Sequence, residues 1–425
     1  MSYRRFIFPP KMEENQHLVH HDAAIKTPNP STSPTSIVFN AQPFGGGPGA
    51  TLTAVMPYLR SRLKSLGPIA LHYVGSSLTM DLQKLTEAKW DGIHNVDLYT
   101  NPDMGKKKLV SLLQHLKPRL VVTAMDELVA AAAQMAGIPV VIIDLLLWFW
   151  PSISPHWRQA ELVIAAEFYG VQERITSEKL TNVVTVSPLG PPARTTRDPS
   201  SGVLLNFGGM INPLMPNEEY IAYSRLIYNT ARRAIYLRNA ALPESQRAKL
   251  TVLVASLDVA QGIDPEDPDA ARMVLPDEAL KLMALSELTF CTAGLGNLYA
   301  AGAVANQVLL LPPLHEGHAI QTHLIQKAGV PVDAIEWHEL TGRAPIDYYR
   351  DSLEVMGNVS KAQSEVIGSP KAQAALVNRM LAAMLRSAST GALAQDPPLR
   401  MLINEFGQDD GDAMAAQIMD VLARV

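Results

Sequence analysis

The chain has 425 residues, 47% of them hydrophobic and 18% charged, proportions that suit a folded protein with more than one core, so two or three domains are expected. Its formal net charge of −5 excludes the strongly basic footprint of a duplex-nucleic-acid binder. A single cysteine, Cys291, excludes an internal disulfide framework, and its apolar run Leu288-Thr-Phe-Cys291 suggests a buried structural thiol in a reducing, cytoplasmic setting.

Residues 1–36 are polar and irregular, include His20 and His21, and end on a run of proline, serine and threonine. They read as a flexible arm, without the long apolar stretch of a signal peptide. Ser36–Asn40 then reads as a buried strand, followed by the turn Phe44-Gly-Gly-Gly-Pro-Gly-Ala50 and a helix from about 51 to 66. Strand-like runs follow at Ile69–Val74, Leu120–Thr123, Val140–Ile143, Leu162–Ala165 and Val183–Val186. Helical patterns at Met104–Leu116 and Glu127–Ala136 lie between them. The most apolar region, Gly137–Trp150, contains Pro139 and Asp144 and is too short to span a bilayer. The lysine run Lys106–Lys108 and the pair Arg232-Arg233 fall on predicted helices and read as solvated faces.

A proline- and glycine-rich linker, 188–202, interrupts the pattern, which then restarts. Val203–Phe207 runs into Gly208-Gly209, a long helix covers about 217–238, and strands recur at Thr251–Ala255, Leu288–Cys291 and Val308–Leu311. Helices are expected at Gly296–Val304 and His318–Ala328, and 372–425 is mostly helical with a break at Asp396-Pro-Pro. The expected fold is α/β, with two Rossmann-like parallel-sheet domains at 37–187 and 203–395. A helical tail, 396–425, would be free to cross back to the first domain.

Three turns place glycines between a strand and a helix: Phe44–Ala50, Asn206-Phe-Gly-Gly-Met210 and Thr292-Ala-Gly-Leu-Gly-Asn297. A helix start offers unpaired N–H groups and partial positive charge, and glycine lets an anion approach the backbone. None of the three matches a dinucleotide or P-loop fingerprint, so each alone reads better as a packing turn; all three after predicted strands, in two matched halves, favour function.

The third turn, with Gln307-Val-Leu-Leu-Leu-Pro-Pro-Leu-His-Glu-Gly-His318 after it, resembles the donor signature of GT-B glycosyltransferases, in particular their UDP-sugar branch. The resemblance extends over most of residues 37–335. It implies two domains facing a cleft, no cofactor and no metal, with a nucleoside diphosphate sugar as co-substrate and a small molecule as acceptor. It places the diphosphate on Gly208, Gly209, Thr292, Ala293, Gly294, Gly296 and Asn297. The sugar would lie on Glu316, His318 and Gln321, with Gly45, Gly46, Gly47 and Gly49 as a loop at the cleft.

The departures are specific. The family's histidine before the diphosphate glycines is Thr292 here, which could still donate one hydrogen bond. Its ribose-binding glutamate is Ala300, and its Asp-Gln pair is Glu316-Gly317. The family's catalytic histidine has no counterpart in Gly47-Pro-Gly-Ala50. The aspartate that would orient it is Asp126, a helix cap in one reading and a direct general base in the other. A lone aspartate is a weak base unless burial raises its pKa or the acceptor is acidic, as a phenol, heterocyclic N–H or carboxylate is. Asn206-Phe-Gly-Gly-Met-Ile-Asn-Pro213 also resembles cytosylglucuronate synthases, which would supply such an N–H. Trp148 and Trp150, near Trp157 and Tyr169, would face the acceptor, or else serve the core or a homodimer contact. His315, His318 and His323 lack metal-site spacing. The same fold would also serve a non-hydrolysing UDP-sugar 2-epimerase or a non-catalytic partner or activator.

Overall fold

The computed structural model describes residues 35–76, 79–80, 83, 89–192, 200–208, 215–240, 242–274, 276–389 and 397–425. The expected arm before residue 35, most of the linker (193–199) and Gly209 lie outside the described residues, as does the rest of the 209–214 segment.

The first sheet has seven parallel strands in the order β3-β2-β1-β4-β5-β6-β7. They are β1 (Thr35–Ala41), β2 (Ile69–Gly75), β3 (Gly92–Asn95), β4 (Leu120–Ala124), β5 (Val140–Asp144), β6 (Leu162–Ala166) and β7 (Val183–Val186). Helices such as Gly47–Leu63, Pro102–Leu116 and Glu127–Met135 join them. Covering both faces explains why the central strands β4 and β5 read as unbroken apolar runs and are buried at every residue. The edge strand β3, Gly-Ile-His-Asn, has one large apolar side chain, which is why the sequence pattern passes over it.

The second sheet has five strands in the order β12-β11-β10-β8-β9. They are β8 (Ser200–Asn206), β9 (Leu250–Leu253), β10 (Ser286–Cys291), β11 (Val308–Leu310) and β12 (Asp333–Ala334), all paired in parallel. The helix Asn217–Asn239 lies over this domain and ends in a buried ion pair, Arg238 to Glu287 at 2.9 Å. Helices at Leu257–Ile263, Pro276–Leu285, Trp337–Thr341 and Ser352–Gly368 supplement those expected from the pattern.

The tail threads back to the first domain. Asp409 pairs with Leu189 and exchanges backbone hydrogen bonds with Pro188 and Gly190 at the crossover. The helix Asp412–Arg424 then lays Met414, Ile418, Val421 and Leu422 against the Gly47–Leu63 helix. Both Asp412 carboxylate oxygens accept from Arg62 Nη2, at 2.7 and 2.8 Å. Gly411, at φ +112°, permits this docking, since a Cβ there would come within 2.7 Å of the Ala54 carbonyl oxygen.

Candidate functional site

In each sheet the strand order reverses beside the first strand of its domain, and ligands of open α/β sheets bind beyond the carboxyl ends of the strands at such a point. In the second sheet these are β8 and β10, whose following turns are Phe207-Gly208 and Thr292–Gly294. Side chains lock the two turns together. The Thr292 hydroxyl donates to the Phe207 carbonyl at 2.8 Å, while Asn297 Nδ2 donates to the Thr292 hydroxyl and carbonyl at 3.1 and 3.2 Å. Asn206 Nδ2 in turn donates to Asn297 Oδ1 at 3.3 Å. Gly208 sits at φ +60°, where a Cβ would lie 2.6 Å from Asn297 Nδ2, so glycine is required twice over.

This changes the reading of Thr292: its hydroxyl proton is already engaged, and the side chain is buried. The donors left for an anion are backbone N–H groups. The helix Leu295–Val304 opens at Gly294 without a side-chain cap, and its first intrahelical bond to Gly294 comes from Leu298. Gly296 is exposed, Gly294 and Asn297 are half-buried and Ala293 is buried.

The loop after β11 leads to the helix Glu316–Lys327, capped by His315, whose Nδ1 accepts from the Gly317 N–H at 3.1 Å. His318 stacks on His315 with ring centroids 3.9 Å apart and brings its Nε2 within 3.8 Å of where a Gly294 Cβ would be. Of the expected sugar residues, His318 is thus brought to Gly294 of the expected diphosphate turn. His318 and Gln321 are buried, and His318 Nδ1 and Gln321 Oε1 have no hydrogen-bond partner. Burial lowers the pKa of both imidazoles, that of His318 well below its ordinary value with His315 adding to the effect.

In the first sheet the reversal lies between β1 and β4, held by the Gln42 N–H to the Ala124 carbonyl at 2.9 Å. The glycine turn follows β1, and the helix begins at Gly47, earlier than the pattern suggests, with Pro48 in its first turn. After β4 the backbone passes through Met125 at φ +68°, a strained conformation for a non-glycine residue, and reaches Asp126. Asp126 is 1% exposed; Oδ1 caps the Glu127–Met135 helix by accepting from Leu128 and Val129 N–H at 3.1 and 3.3 Å. Oδ2 has no partner of regular hydrogen-bond geometry. Burial pushes this carboxyl up to about 6; the Tyr99 hydroxyl, the two capping N–H groups and the Asn40 amide oppose the rise. The Tyr99 hydroxyl likewise lacks a regular partner, and its ring packs edge-on against Phe44 of the glycine turn at 5.7 Å.

No family model and no curated protein matches the chain. Among solved structures it is similar to Arabidopsis thaliana UGT89C1 complexed with UDP, at 13% identity and TM-score 0.50, covering 91% of this chain and 99% of that one. It is also similar to the glycotransferase of kitacinnamycin, at 14% identity and TM-score 0.49 over 92% and 99%. A candidate UDP-N-acetylglucosamine 2-epimerase from Listeria monocytogenes aligns at 11% identity and TM-score 0.47, over 86% and 99%. The UGT89C1 alignment runs through nearly all of both chains and both sheets. The chain has the GT-B fold.

Within the GT-B frame, sequence reasoning missed Tyr99 and Asn40, and it weighed His315 only as a metal ligand, not as a helix cap. Tyr99 lies in a loop after the overlooked β3, so no periodic signal could find it. Trp148 and Trp150 serve first as structure. Trp148 is buried with its ring 5.5 Å from that of Phe168, and the Trp150 and Trp157 N–H groups donate to Asp144 Oδ2 at 2.8 and 2.7 Å. Trp150 is half-buried. Cys291 is a buried thiol pushed up to about 12 by desolvation. Among the described residues no three His, Cys, Asp or Glu side chains are grouped to hold a metal ion, and no helix is long and apolar enough to cross a membrane.

Proposed function

We propose that this chain transfers a sugar from a nucleoside diphosphate donor, UDP in the leading case, to a small acceptor bearing an acidic O–H or N–H. The observation that carries the reading is the interlocked pair of glycine turns on β8 and β10. They hold uncapped helix N–H groups opposite the unpartnered His318. Such a site neutralises a diphosphate as it departs, which is electrostatic stabilisation by preorganised dipoles.

Asp126 is the proposed base. The acceptor proton passes to its Oδ2, directly or through the Tyr99 hydroxyl. The acceptor atom bonds to the anomeric carbon, and the bond from that carbon to the diphosphate oxygen breaks with its electron pair leaving on phosphate. A carboxyl raised to about 6 is better matched to an acidic proton than an ordinary aspartate is. Glu316 and Gln321 are the proposed contacts to donor hydroxyls, and Trp150 to a flat acceptor.

The test is a thermal-shift screen against UDP, GDP, dTDP and their sugars, since a ligand selective for the native state raises its melting temperature. A rise with one nucleotide series is expected; no rise with any of them rejects the proposal. Turnover of a bound UDP-sugar without an acceptor would redirect it to a 2-epimerase.

A further inference from the structure

Two helices begin at the same spot in the second domain: Leu295–Val304, uncapped at Gly294, and Glu316–Lys327, capped by His315. His318, in the first turn of the second helix, is 4% exposed, with Nδ1 unpartnered and Nε2 within 3.8 Å of where a Gly294 Cβ would be. A buried imidazole normally donates from one nitrogen and accepts at the other; here Nδ1 is closed off without a partner, and Nε2, which faces Gly294, is the nitrogen that a ligand on the turn can reach. Among the described residues the ionisable group that acts on His318 is the His315 ring beside it, while Glu316 acts on His315. The Thr292–Gly294 turn and the Pro312–Leu314 segment contribute no charged side chain.

We propose that His318 is a proton-linked contact for the donor diphosphate: neutral in the ligand-free protein, it takes one proton from solvent as the anion binds. The proposal rests on the donor reading of the glycine turn. Without ligand, three causes oppose an imidazolium there: burial, the positive ends of two helices and the neighbouring His315 ring. Two negative charges placed against the same ring reverse the balance and raise its pKa. By linkage, affinity for the diphosphate then rises as pH falls through the window between the bound and free pKa values, by up to about tenfold per pH unit. A neutral nucleoside shows no such dependence.

Isothermal titration of UDP at pH 7, in buffers of different ionisation enthalpy, measures the protons taken up per binding event. Wild type and H318Q are compared so that the ionisation of UDP itself cancels. The expected result is uptake in wild type exceeding that in H318Q by most of a proton, with affinity gaining on H318Q as the pH is lowered toward 6. UDP-glucose, whose diphosphate does not titrate near neutrality, supplies a check that needs no variant: wild type should take up a proton on binding it, and uridine should not. Equal uptake in both proteins, or none with UDP-glucose, overturns the proposal while leaving the donor site standing. Absence of binding by UDP and UDP-glucose alike overturns the donor reading and this inference together.

Discussion

Asp126→Asn separates the two roles that the structure gives this residue. Asparagine caps a helix about as well as aspartate, so the bonds from Leu128 and Val129 survive while the charge disappears. The folded carboxyl is raised from 3.8 to about 6, so the folded state holds its proton more tightly than the unfolded chain does. Its contribution to stability is therefore fully present below pH 3.8 and is lost as pH rises through 6. The interval, at about 1.4 kcal/mol per pH unit, makes the ionised buried carboxylate cost about 3 kcal/mol at neutral pH. D126N should accordingly unfold at higher denaturant than wild type at pH 7.5, and the gap should close as the pH is lowered toward 4. Turnover should fall by about 10²–10⁴, the usual contribution of a general base. Urea unfolding at both pH values, with initial rates on the same preparations, checks the two halves. Near-wild-type turnover would rule out Asp126 as the base, and a variant less stable than wild type at pH 7.5 would rule out a costly buried carboxylate.

Tyr99→Phe removes a hydroxyl that holds the Asp126 pKa down, so the acid limb of the kcat/KM profile should move to higher pH; an unchanged limb separates Tyr99 from the site. Gly208→Ala places a Cβ 2.6 Å from Asn297 Nδ2 at φ +60°. It should cost about 1–3 kcal/mol and weaken UDP binding, with Asn297→Ala relieving the clash but not the backbone strain in a double-mutant cycle. Arg238→Met strands the buried Glu287 carboxylate and should destabilise by about 3–5 kcal/mol in chemical denaturation, most of it recovered by adding Glu287→Leu.

The alternation of strands and helices was legible because the central strands are buried on both faces and so spell continuous apolar runs. Both turns that open the domains, and the turn at Thr292–Asn297, could be read from glycines alone. Their partners could not: the Thr292–Phe207 bond spans 85 residues, and nothing local announces that the hydroxyl is already spent. Asp126 was visible as a residue at a strand end, but its raised pKa comes from burial and from a Tyr99 loop brought in by an edge strand too polar to recognise. The tryptophans left acceptor and core roles open because aromatic clusters look alike in sequence whether they meet a ligand or, as at Asp144, anchor a loop.

The proposed function rests a nucleoside diphosphate on the backbone at Gly294–Asn297. Hydrogen exchange with and without UDP tests it most directly, because amides that bind phosphate are slowed individually. Protection concentrated in peptides covering Thr292–Leu298, with a second region at His315–His318, is the predicted outcome. Protection confined to the first domain, or unchanged exchange through Thr292–Leu298 under saturating UDP, would contradict it.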